Sequence, residues 1–173
     1  MADTYEVLLA VDIHGDLGDE ELAELRWHLG QGPLPKRLPM GTDQYLPTFP
    51  LGDPEDPDCT WETAEPEPLF AQHGPAHHIS GALVAVLTER EAPQGWSLTV
   101  RQELHPDEFY ALRAFLYWLG PHSTHAPGSS EHHIGHLRFH ESTAVIPLVL
   151  SNGTIAQPDE ITVHTPHWQP PRM

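Results

Sequence analysis

Two strand–helix–strand units follow one another in this chain, and that order constrains its fold more than any other feature. Alternation of apolar and polar residues predicts strands at Tyr5–His14, Gly95–His105 and His133–Glu141, and a nearly continuous apolar run, Ile79 to Leu87, predicts another within His77–Arg90. Apolar residues at helical spacing predict helices at Asp19–Gly30 and Pro106–Gly120. In the first strand Tyr5, Val7, Leu9, Val11 and Ile13 take one side, and Glu6, Leu8, Ala10, Asp12 and His14 the other. The first helix opens on Asp19, Glu20 and Glu21, whose charge suits a helix N-terminus, and stops at Gly30 with Pro33 beyond. The second has His105 as N-cap, Pro106 at its first position and Asp107 and Glu108 in its first turn. A further run, Ala144 to Leu150, contains Pro147 and reads as an edge strand beside the fourth.

The order β-α-β-β-α-β is the split βαβ of the ferredoxin-like fold. The expectation is therefore one α+β domain over residues 1–150, with a four- to five-stranded, mainly antiparallel sheet and both helices on one face. Residues 151–173, with four prolines from Pro158 onward, read as an irregular tail. The fourth, first, third and second strands should lie side by side in that order. The first strand is then central, expected parallel to the third and antiparallel to the fourth, with both helix N-termini at one rim.

Between the first helix and the second strand lies an insert, residues 31–75, holding ten of the 19 prolines. Its stretch Asp53–Glu67 carries seven acids and no base. So many prolines exclude long regular elements. Tyr45, Leu46, Phe49, Trp61, Leu69 and Phe70 supply something to pack, so extended surface chain with one short hairpin, Tyr45–Phe49 against Thr60–Thr63, is expected.

The chain carries a formal charge of −17, with 25 acids against 8 bases. A field of that sign repels nucleic-acid phosphate and anionic lipid, which argues against both as partners. Cys59 is the sole cysteine, so neither an intrachain disulfide nor a multi-cysteine zinc site can form. The N-terminus lacks the basic and apolar regions of a secretion signal, and no apolar run reaches 18 residues, so a cytoplasmic protein is expected.

The face of the sheet left open by the helices carries the chemistry. Glu6, Asp12, His14, Arg101, Glu103, His105, His136, Arg138 and His140 all fall on it. With the first and third strands parallel, Asp12, His14, Glu103, His105, His132 and His136 would meet at one rim. Such a grouping suits acid–base chemistry in which His105 or His136 exchanges the proton and Glu103 or Asp12 orients the ring. Arg101 and Arg138 would hold an anionic substrate, with His14, Glu6 and His140 completing the binding surface. No cofactor is required by this reading. A divalent metal held by two histidines and a carboxylate is the alternative chemistry. His136 and His140 lie about 13 Å apart along a strand, so ligands would have to come from several strands. Arg101 and Arg138 alternating with Glu6 and Glu103 also form an ordinary cross-strand ionic network.

The βαββαβ order with its open polar face, over roughly residues 5–141, resembles the dimeric α/β-barrel group of the ferredoxin-like fold. The resemblance implies a homodimer with sheets face to face around a pocket, and it implies small cofactor-independent enzymes or non-enzymatic effector-binding proteins. The 45-residue insert and the charge on the open face depart from that pattern. The reading adopted is a small acidic protein that binds a small ligand or protein partner at the open face and insert. The alternatives are a small isomerase, cyclase or monooxygenase, and an acidic protein that masks a basic partner.

Overall fold

The protein folds as an α+β structure around a mainly antiparallel sheet, seen in a computed structural model that describes residues 3–124, 130–159 and 161. Its elements are β1 (Tyr5–His14), α1 (Asp19–His28), β2 (Thr48–Leu51), β3 (Thr60–Thr63), β4 (Gly74–Pro75), β5 (Ala82–Arg90) and β6 (Gly95–Leu104). There follow α2 (Phe109–His122), β7 (Ser123–Thr124), β8 (Glu131–Phe139), β9 (Ile146–Ser151) and β10 (Thr154–Ile155). The main sheet runs β10-β9-β8-β1-β6-β5-β4, with β7 pairing separately to β1. Among the described residues no helix is long and apolar enough to cross a membrane.

β1 is central, as expected, but β6 runs antiparallel to it, not parallel. The connections give the reason. Helix α1 returns the chain to β5 in the direction of β1, and the β5–β6 hairpin then reverses it. Helix α2 next carries the chain over β1 to β8, which is antiparallel to β1. The helices therefore start at opposite ends of the sheet rather than at one rim. Their antiparallel packing is visible where Trp118, late in α2, donates its indole N–H to Glu21, early in α1, at 3.0 Å.

Burial follows the period of two. Val7, Leu9, Val11 and Ile13 of β1 join Leu98, Val100 and Leu104 of β6, Leu137 of β8 and Leu148 and Leu150 of β9 in one core. Leu25 and Leu29 of the first helical stretch and Phe109, Leu112, Phe115, Leu116 and Leu119 of α2 close it from above. The run placed on an edge at Ala144–Leu150 is β9, flanked on its outer side by the two-residue β10 in the expected tail. His164, His167 and the last three prolines lie outside the described residues.

His105 does cap the helical segment. Its Nδ1 accepts from the Asp107 N–H at 3.2 Å, and the Glu108 carboxylate accepts from the His105 N–H at 2.7 Å. Burial pushes the Glu108 carboxyl above its ordinary value, against the hydrogen bond from His105, and Glu67 and Asp107 add repulsion. A raised acid is a cost that appears as pH climbs past the unfolded value, 4.5, and is complete above the folded one. Glu108→Gln keeps the acceptor and removes the charge. It is expected to leave the neutral-pH unfolding midpoint unchanged or higher, with any gain vanishing below pH 4.5. A neutral-pH midpoint lowered by more than about 3 °C in a thermal melt contradicts this.

The insert contains no α-helix. A 3₁₀ turn at Thr42–Tyr45 precedes β2, which pairs with β3 in an antiparallel hairpin of its own, separate from the main sheet. The second arm is the expected Thr60–Thr63; the first begins three residues late because the 3₁₀ turn takes Thr42–Tyr45. Phe49, Leu51 and Trp61 are exposed on it.

Candidate functional site

The antiparallel pairing of β1 and β6 splits the open face into two ends. Glu6 stands opposite Glu103 and Arg138, whereas Asp12 stands opposite Ser97. Six residues of strand separate Glu6 from Asp12, about 20 Å. Glu103 and His136 thus lie toward one end and Asp12 and His14 toward the other. The convergence of Asp12, His14, Glu103, His105 and His136 expected from a parallel pairing does not occur.

At the Glu6 end the charges satisfy one another. Glu6 accepts from Arg101 Nε at 2.8 Å, and from Arg138 Nε at 2.8 Å and Nη2 at 2.7 Å. The remaining guanidinium nitrogens are also engaged: Arg101 donates to the Ala82 and Ser80 carbonyls, and Arg138 to that of Ser142. Every guanidinium nitrogen is thus already bonded within the fold. Burial drives the Glu6 carboxyl up, but the hydrogen bond from Arg138 and the two arginine charges outweigh it and hold it below its ordinary value. His136 stands 4.0 Å from the same carboxylate.

Glu103 sits beside this network in a cradle of three consecutive backbone amides. The N–H groups of His77, His78 and Ile79 donate to its carboxylate at 3.1, 2.6 and 2.8 Å. These bonds, with the His78 ring nearby, overcome the burial penalty and again lower the carboxyl. Residues expected to begin the second strand instead wrap around Glu103, so β5 starts only at Ala82. His140 binds the Thr4 carbonyl at 3.0 Å, with its ring 5.5 Å from that of His78. This end has the geometry of a structural clasp.

The Asp12 end is different. The β1–β8 ladder stops at Leu9 opposite Gly135. A Cβ on Gly135 would run into the Leu8 carbonyl oxygen, so only glycine allows this approach. Immediately beyond, β8 bulges between His133 and Gly135, and β1 pairs with β7 instead, Asp12 opposite Thr124. The strands part and leave an open groove of about 470 Å³. Asp12, Ser97, Thr99, Thr124, His132 and His133 supply its polar lining. Ser97 Oγ donates to Asp12 at 2.6 Å, and Arg90 forms an ion pair with the same carboxylate. His14 is exposed near this end.

Among the described residues no group of three or more His, Cys, Asp or Glu side chains is gathered to hold a metal ion. The sequence reading missed the hydroxyls of the groove, since Ser97 and Thr99 read as ordinary strand residues. It also missed a buried polar chain under the insert. Glu24 and His28 of α1 are 0 % and 2 % exposed. Leu69 N–H donates to His28 Nδ1 at 3.2 Å, which assigns the hydrogen to Nε2. Nε2–H then reaches Thr42 Oγ1 at 3.0 Å, and Thr42 donates to Glu24 at 2.5 Å. Met40 N–H completes the set on Glu24 at 2.7 Å. The available signal was an acid and a histidine four residues apart, beside Leu25 and Leu29.

No family model, curated protein or solved structure matches the chain.

Proposed function

We propose that the chain is a small-ligand-binding protein whose site is the groove at the Asp12 end of the open face. The observation that carries this reading is the parting of β8 from β1. It opens a volume within the range of ligand pockets, about 300–1,000 Å³, with six polar side chains in its lining. The frame is read as a ferredoxin-like split βαβ. The order β8-β1-β6-β5 supports it, with each helical crossover passing over one strand. The enzyme alternative with His105 as proton carrier loses support because His105 is spent as a cap and Asp12 lies about 20 Å of strand from Glu103's row. A second reading, docking of a basic polypeptide on the hairpin, is favoured by Phe49, Leu51 and Trp61 standing exposed beside the acids of 53–67. The homodimer implied by the resemblance would form across the open face and cover the groove.

An amide-resolved NMR titration with a panel of small polar compounds tests the groove. Saturable shifts are expected at Asp12, Ser97, Thr99 and Thr124, and Thr99→Trp should abolish them by filling the groove from an exposed position. Groove amides silent to the whole panel, or a Thr99→Trp variant that binds as the parent does, refute it. A mass measurement in solution shows whether a dimer has closed the face.

A further inference from the structure

We infer that the groove takes a small organic ammonium ion, an inference that rests on the groove being the binding site. Ser97 bonds a carboxylate oxygen, which can only accept, so its hydroxyl hydrogen is committed to Asp12. Thr124 donates its own to the Asp12 main-chain carbonyl at 3.3 Å. Both hydroxyl oxygens therefore meet a ligand as acceptors. The Asp12 carboxylate receives Ser97 on one oxygen and Arg90 on the other, which leaves lone pairs on each. Arg90 is not part of the groove lining; it lines a neighbouring hollow with Gly15, Gln94 and Trp96.

A ligand group that meets Asp12, Ser97 and Thr124 must therefore bring donors, while Thr99, His132 and His133, which can themselves donate, supply the rest of the polar lining. At Asp12, Ser97 and Thr124 a carboxylate or phosphate presents lone pairs to lone pairs, and it enters a molecule whose formal charge is −17. A polyol brings donors without charge. An ammonium group brings N–H donors and a charge that the whole-molecule field draws in. A polyol hydroxyl on the Asp12 carboxylate also makes a charge-assisted bond, so what separates the ammonium from the polyol is its own charge, which adds ion–ion attraction that a neutral donor lacks.

Four probes test this on the full chain by amide NMR: butylamine, butyltrimethylammonium, ribitol and glutarate. Butylamine should saturate shifts at Asp12, Ser97 and Thr124, and Thr99→Trp should remove them. Butyltrimethylammonium keeps the charge but has no N–H, and it should bind at least about tenfold more weakly, the loss of one charge-assisted hydrogen bond. Ribitol should bind more weakly than butylamine, and glutarate should leave the groove unmoved. Equal binding of the two ammonium ions overturns the donor argument. Ribitol or glutarate shifting the groove amides without butylamine overturns the ammonium while leaving a small-ligand site in place. Butylamine shifting only residues 53–67 overturns it in favour of the acidic insert. Silence of the groove to all four overturns it, and the wider panel then decides the site itself.

Discussion

Glu6→Gln should destabilise the protein by about 3 kcal/mol and remove part of its sensitivity to acid. The Glu6 side chain is 7 % exposed and is shared by Arg101 and Arg138, whose side chains are 23 % and 24 % exposed. Glutamine keeps the shape but turns an amide N–H₂ toward guanidinium donors and leaves two cations without their anion. Breaking a buried ion pair from one side costs about 3–5 kcal/mol. The partly wetted guanidinium groups put this case at the lower end. The contrast is Glu20, whose pairing with Arg37 at 3.4 Å involves side chains 59 % and 78 % exposed; pairs of that kind contribute about 0–1 kcal/mol. The pH dependence has a definite sign. The folded carboxyl of Glu6 titrates below its unfolded value of 4.5, so its stabilisation is present in full above 4.5 and disappears as pH falls through the folded value. Urea unfolding from pH 7 to pH 3 should show the parent losing stability across that acid window and Glu6→Gln losing less. An unchanged urea midpoint at pH 7, or an undiminished acid slope in the variant, rules the clasp out.

The alternation in β1 was legible because each core residue, Val7, Leu9, Val11 and Ile13, is its own evidence, independent of any distant partner. The start of the second helical segment was legible for a similar reason, since its capping residues His105 and Glu108 lie three apart. Strand direction was not written in this way. The neighbours of β1 follow from how two crossovers and one hairpin combine, and the wrong direction for β6 displaced every residue expected beside it. Asp12 and Glu103 are both on the open face, as the period of two required, yet they belong to different ends. The groove was hidden because it comes from a bulge: Gly135 is a local hint of one, but where the ladder with β1 stops is set by the partner strands. The buried chain was hidden for another reason. Glu24 and His28 look like the polar side of a helix until the partners arrive, 18 residues away at Thr42 and 41 away at Leu69.

That buried chain yields the second large effect. Thr42→Val, nearly the same shape, should cost about 3 kcal/mol. Thr42 both accepts from His28 and donates to Glu24, so valine strands two buried polar groups at once, each worth about 1–3 kcal/mol when left without a partner. The loss should also be local. Glu24 holds the insert at Met40 and Thr42, and His28 holds it at Leu69 through its ring and at Phe70 through its carbonyl, 2.8 Å from the Phe70 N–H. Both roots of the hairpin β2–β3 thus meet one face of α1. In Thr42→Val, hydrogen exchange at the Met40, Leu69 and Phe70 amides should accelerate by more than the global loss of stability accounts for, while amides of β1 track the global value. Thr42→Ser restores the hydroxyl and should return these amides close to the parent. If Thr42→Val unfolds within about 0.5 kcal/mol of the parent, the size expected of an ordinary surface change, the chain does not anchor the insert. If instead the three amides accelerate while β1 stays protected, the hairpin and its exposed Phe49, Leu51 and Trp61 form an arm that can loosen at its roots while the sheet below stays folded.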